Sequence, residues 1–229
     1  MAENRGLQFT SESARNVSKE QSAYDQLRRA IISGELKPGQ RLVPAEIGAQ
    51  LGISSMPVRN AMMRLEAQRL ITRAPHREFI VTQYSAQEIR EVNQTLGVLE
   101  AFAARLASLR MTESTLAKLR QLVAEAEKQL TSGDIESLMD TNQAFHVALY
   151  AQSGNEHLQE VLRLLRNREA RYRAQYYYAG TEMPKRMVQE HREIISALAQ
   201  GDHDGVERLL RRYSDEMGAG LVRLVQGER

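Results

Sequence analysis

Arg59 and Asn60 stand side by side in a stretch, Ser54 to Arg69, whose apolar residues recur at helical spacing. An arginine fork can grip a guanine edge or a phosphate, and an asparagine amide can pair with the edge of adenine. Five histidines, His76, His146, His157, His191 and His203, are the side chains that could ligate a transition metal or titrate near neutrality. Cysteine is absent, which removes disulfides, thiolate zinc sites, iron–sulfur clusters and cysteine nucleophiles together. Any transition-metal site must therefore combine histidine with oxygen ligands. An enzyme, such as a metal-assisted hydrolase built on His146 and His191, fails on inventory. It would lack a thiol, a clear carboxylate ligand and a phosphate-cradling glycine loop.

The chain has 229 residues, 42% hydrophobic and 26% charged, an ordinary globular mix with room for one large domain or two small ones. No run is long and apolar enough to span a bilayer, and the N-terminus has no apolar signal core. The expectation is a cytoplasmic protein without a membrane segment. Tryptophan is absent and aromatics are 5%, so the core must be aliphatic. The charge is uneven. Residues 1–84 hold 12 basic against 8 acidic side chains, and residues 85–229 hold 19 against 21. A basic first third on an acidic remainder points to an anionic partner for the first part only.

The elements follow from period and punctuation. Residues 1–17 are polar and aperiodic and read as a flexible arm. Ser18 to Gln21 forms a capping-box pattern. Tyr24, Leu27, Ala30 and Ile31 continue as a helix that Gly34 ends. A short helix over Ala45–Leu51 stops at Gly52. Ser54 is placed to cap a third helix, with Pro57 in its first turn and Val58, Ala61, Met62 and Leu65 as its inward stripe. Two short strands, Leu70–Arg73 and Phe79–Thr82, flank a tip at Ala74-Pro75-His76-Arg77-Glu78. Three helices and a two-stranded hairpin make a winged helix-turn-helix over residues 18–84. Residues 85–229 read as six amphipathic helices, near 86–109, 112–131, 134–151, 155–177, 183–200 and 202–226, each break carrying a Gly, a Pro or a capping residue. The fold class is mainly α, a winged helix-turn-helix followed by an all-α antiparallel bundle.

The N-terminal pattern is specific enough to compare. Gly34-Glu35-Leu36-Lys37-Pro38-Gly39-Gln40-Arg41-Leu42, Leu51-Gly52-Ile53-Ser54, Pro57-Val58-Arg59 and Arg64-Leu65-Glu66 resemble the DNA-binding domain of GntR-family bacterial transcription regulators. Leu99-Glu100 through Ala107, Phe145-His146, Ser153-Gly154-Asn155 and Glu190-His191 through Gly201-Asp202 resemble the FCD ligand-binding domain of the FadR subfamily. Six rather than seven helices place it beside the VanR-like branch. The resemblance implies a homodimeric regulator that binds double-stranded DNA at an inverted-repeat operator, commonly as a repressor relieved by a small effector in the bundle.

The DNA-facing set expected on this basis is Ser54, Ser55, Met56, Arg59 and Asn60, with His76 and Arg77 at the wing tip for the minor groove or a phosphate. Met56 can offer only apolar contact, as to a thymine methyl. The family usually carries Arg-Thr where this chain has Ser55-Met56 and Glu-Ala-Leu where it has Asn60-Ala61-Met62. The usual wing glycine is replaced by Glu78 or its neighbour. These departures bear on the DNA sequence preferred, not on the fold.

Many FCD domains hold a divalent metal, zinc or manganese, on an Asp and three His. The corresponding positions here are Asn142, His146, His191 and Tyr213, so His146 and His191 alone remain as metal ligands of the usual type. An amide oxygen and a phenol near pKa ~10 are poor replacements. The favoured expectation is a metal-free pocket in which Asn142, His146, His191 and Tyr213 converge on a small effector. Family members often carry an arginine where this chain has Leu96, so a carboxylate effector needs another cation, with Arg171 or Arg168 as candidates. A DNA-architectural protein with a vestigial pocket is the main rival.

Overall fold

The computed structural model describes residues 11–74, 78–179 and 182–227. It divides into two compact units, Met1–Gln83 and Tyr84–Arg229.

In the first unit the order is α1 (Ser11–Ser33), β1 (Arg41–Leu42), α2 (Pro44–Leu51), α3 (Ser55–Ala67), β2 (Ile71–Arg73) and β3 (Phe79–Val81). Helix α1 starts earlier than the capping box at Ser18 implies, so residues 11–17 belong to a helix rather than to an arm; residues 1–10 lie outside the described residues. Ala23, Tyr24, Leu27 and Ile31 of α1 meet Val58, Ala61, Met62 and Leu65 of α3 in one buried cluster, closed by Ile71, Phe79 and Val81. The turn between α2 and α3 depends on Gly52, at φ +67°, a left-handed backbone that a side chain would strain. Ser54 occupies the N-cap of α3 in extended backbone, but its hydroxyl makes no capping bond.

The sheet corrects the expected two-stranded hairpin. It has three antiparallel strands in the order β1-β3-β2, with Arg41 opposite Ile80, Leu42 opposite Phe79 and Ile71 opposite Val81. Strand β1 brings buried Leu42 under the wing.

The second unit is α4 (Ala86–Ser108), α5 (Glu113–Ser132), α6 (Ile135–Ala151), α7 (Glu156–Ala179), α8 (Glu182–Ala199) and α9 (His203–Gln226). Ser85 and Glu88 form a reciprocal capping box on α4. Thr112, Asp134 and Asp202 cap α5, α6 and α9 through their side chains. The core is aliphatic, with Leu96, Ala103, Leu119, Leu149, Val206 and Leu221 fully buried around Phe145. Helices α4 and α9 form the most extensive pair. Glycine lets them approach: a Cβ on Gly218 would lie 2.7 Å from the Asn93 side chain. Seven of the eight tyrosines belong to this unit, with Tyr172, Tyr176, Tyr177 and Tyr178 clustered on α7. Among the described residues no helix is long and apolar enough to cross a membrane.

Candidate nucleic-acid interface and ligand cavity

Helix α3 has two faces because its apolar residues fall one helical turn apart. Pro57, Val58, Ala61, Met62 and Leu65 are buried. Ser54, Ser55, Met56, Arg59 and Asn60 are all exposed, so the expected readout residues share the outer face, and Met63 extends it. The other charged side chains of α3 are engaged elsewhere. Arg64 donates to Gln21 Oε1 at 3.0 Å and its guanidinium lies 4.2 Å from the Tyr24 ring centre, which braces α3 on α1. Glu66 accepts from Arg73 Nε at 2.9 Å, which ties α3 to β2. Arg41 and Glu78 pair at 2.9 Å across the sheet. His76 and Arg77, expected at the wing tip, lie outside the described residues.

In the second unit, Asn142, His146, His191 and Tyr213 line one small cavity of about 30 Å³, so the four expected effector residues do converge. Arg171 does not line it. That side chain, expected as the effector's cation, is buried beside the Tyr172 ring, 4.9 Å from its centre. The cavity's cations are Arg166 and Arg173, not the Arg171 or Arg168 that the sequence suggests. Arg166 pairs with Glu100 and donates to Gln143 Oε1 at 3.2 Å. Arg173 pairs with Glu169 at 2.9 Å.

The two histidines of the cavity, His146 and His191, are held as neutral rings. His191 stacks on Phe145 with ring centres 3.8 Å apart. Burial, helped by the Arg166 charge, pushes its pKa down to about 3. His146 lies 2.9 Å from the Tyr150 hydroxyl through Nδ1, and burial and Arg166 hold it well below the usual range too. Tyr213 donates to Glu193 and accepts from Arg212 at 3.0 Å; burial and the Glu193 bond raise it to about 12, so it stays a phenol. Glu190, also on the wall, is raised to about 7 because burial outweighs its pairing with Arg186. Asn142 Oδ1 and Ser214 Oγ are buried in this wall without a hydrogen-bond partner in the protein.

These residues do not fit the divalent metal that the fold family implies. His146 and His191 are joined by a neutral amide and a phenol engaged with Glu193, while two guanidinium groups share the wall. Among the described residues no three His, Cys, Asp or Glu side chains are grouped to hold an ion. The orphaned Asn142 Oδ1 instead accepts from a hydroxyl or N–H of a ligand, and the Ser214 hydroxyl can donate or accept.

Comparison with known proteins agrees with this geometry. The pattern of "Bacterial regulatory proteins, gntR family" matches residues 19–81, and that of the FCD domain matches residues 91–216. The chain is 28% identical over 200 residues to the HTH-type transcriptional regulator McbR of Escherichia coli strain K12, covering 86% of this chain and 89% of that one. It is 25% identical over 206 residues to the HTH-type transcriptional repressor RspR of the same strain, covering 90% of each. The solved structure of E. coli McbR/YncC superposes with a TM-score of 0.77 at 26% identity, over 90% of this chain and 98% of that one. These relatives are regulators of transcription and not enzymes. With an exposed recognition-type helix in its first unit and a six-helix second unit, the chain belongs to the GntR family of bacterial transcription regulators, with an FCD domain as its C-terminal part.

Proposed function

We propose that the protein acts in the cytoplasm as a homodimeric repressor on an inverted-repeat DNA operator, and that a small organic acid in the helical bundle changes this binding. The observation that carries the DNA reading is the outer face of α3, where Arg59 and Asn60 project together from a helix whose other charged groups are braced inward. A two-fold dimer matches the symmetry of paired half-sites. The relative named as a repressor, RspR, favours repression. For the effector, Arg166 and Arg173 supply cations for a carboxylate, and Asn142 and Ser214 supply hydrogen bonds. An effector switches the protein only if its affinity differs between two arrangements.

The volume favours a second reading as well. A cavity of about 30 Å³ holds roughly one water, whereas metabolite pockets run to several hundred Å³. Effector binding therefore requires the cavity to open, and a protein whose pocket takes no effector would keep it closed. Both readings are separated by enriching bound duplexes from a random pool, then measuring gel shifts and thermal stability against a panel of organic acids, with and without chelator. A ligand at a hundredfold its Kd stabilises by about 2.7 kcal/mol. A chelator-independent rise in Tm with altered DNA affinity supports the effector reading. Intact DNA binding with a flat response to the whole panel selects the pocket without effector.

A further inference from the structure

We propose that Met56 and Met63 read the 5-methyl groups of thymine on either side of the bases contacted by Arg59 and Asn60. The inference rests on the reading of α3 as the helix that enters the major groove.

Met56 is 63% exposed and Met63 51%, and among the described residues they are the large exposed hydrophobics of the first unit. They are not filler for a core, because Met62, the neighbour of Met63, is fully buried and serves that purpose. Seven residues separate them, two helical turns or roughly 10.5 Å along the axis. Stacked base pairs advance about 3.4 Å each, so the two thioethers span roughly three base steps. Arg59 follows Met56 by three residues and Asn60 precedes Met63 by three. The exposed strip thus runs apolar, cation, amide, apolar. Arg64 and Glu66, which could have added charge beside Met63, are held by α1 and β2.

The chemistry of the occupant follows from that order. A thioether has no donor and accepts only weakly, so it cannot read a hydrogen-bonding edge. The apolar group that base pairs present in the major groove is the thymine methyl. The thioether is flexible enough to settle on it and exclude water. The basic balance of residues 1–84, 12 against 8, suits a polyanion rather than an apolar protein partner.

The test uses the full-length protein and half-sites recovered from a pool of random duplex DNA. Each thymine is replaced in turn by deoxyuridine, which keeps every hydrogen-bonding group and lacks the methyl. Losing one buried methyl should weaken binding about fourfold. Such losses are expected at two places about three base steps apart, with Met56→Ala abolishing one and Met63→Ala the other while Tm is unchanged. The proposal is overturned if no deoxyuridine weakens binding by more than twofold, or if the losses persist in both variants. A change in the sedimentation of the free protein on Met63→Ala would assign the methionines to a protein interface and overturn it too. If the folded protein enriches no sequence at all, the reading of α3 fails and carries this inference with it; enrichment with indifference to the methyl removes the inference alone.

Discussion

Arg166 lies against Glu100 in the interior of the bundle, with 5% and 4% of their side chains exposed. Such a pair contributes little net stability, because desolvation offsets attraction, but breaking it leaves a bare buried charge. Glu100→Leu should therefore destabilise the second unit by about 3–5 kcal/mol. The double variant Glu100→Leu/Arg166→Met should recover most of that loss. Urea unfolding followed by circular dichroism measures both, and a double variant no better than the single one would contradict the account.

Acid should destabilise the bundle through His146 and His191. An unfolded histidine takes up a proton near pH 6.5, whereas folded His191 resists protonation down to about pH 3. Between those values the unfolded state binds more protons, so stability falls as pH falls. His146 acts in the same direction. Glu190 acts oppositely. Its folded pKa of about 7 exceeds its ordinary 4.5, so its contribution is fully present below 4.5 and is lost as pH rises through 7. With two histidines against one carboxylate, the urea midpoint should drop from pH 7 to pH 5, and Glu190→Gln should make that drop steeper. A midpoint that rises on acidification would show that the imidazoles are not buried as neutral rings.

Gly218→Ala should cost roughly 1–3 kcal/mol by overpacking. The new methyl would sit 2.7 Å from the buried Asn93 side chain across the α4–α9 contact. Differential scanning calorimetry reads the loss; an unchanged Tm would mean that the two helices separate at no cost.

Arg59→Ala should weaken binding to an enriched duplex by about 10- to 100-fold per half-site, the worth of one bidentate base contact. Its exposed position predicts no change in Tm. Gel-shift titration is sufficient, and full affinity in the variant would remove Arg59 from the readout.

The bundle was legible because each helix break carries chemistry with one physical meaning, as Thr112, Asp134 and Asp202 do when their side chains cap backbone donors. Strand β1 was not. Two residues, Arg41 and Leu42, are too few to show alternation, and their pairing with Ile80 and Phe79 exists only in the tertiary fold. The start of α1 is not legible because residues 11–17 are polar and without period, while the capping pattern at Ser18 points to a later start. The cations of the cavity do leave a signal in the sequence. Leu158 and Leu162 begin a buried stripe on α7, and Arg166, Glu169, Arg173 and Tyr177 continue it at spacings of four and three. Arg166 and Arg173, which keep this apolar period, face the cavity and are paired, whereas Arg171 falls outside the period and is buried elsewhere, beside Tyr172.

The uneven placement of tyrosine sets what light can report about this molecule. With no tryptophan and seven of eight phenols in the second unit, its near-ultraviolet absorption and emission come almost wholly from the bundle. Tyr24, on α1, is the single phenol of the DNA-reading unit, and it lies beneath the Arg64 guanidinium. A melt followed by tyrosine absorption or emission therefore reports mainly the bundle, and a tryptophan placed in the first unit would let the two be watched separately.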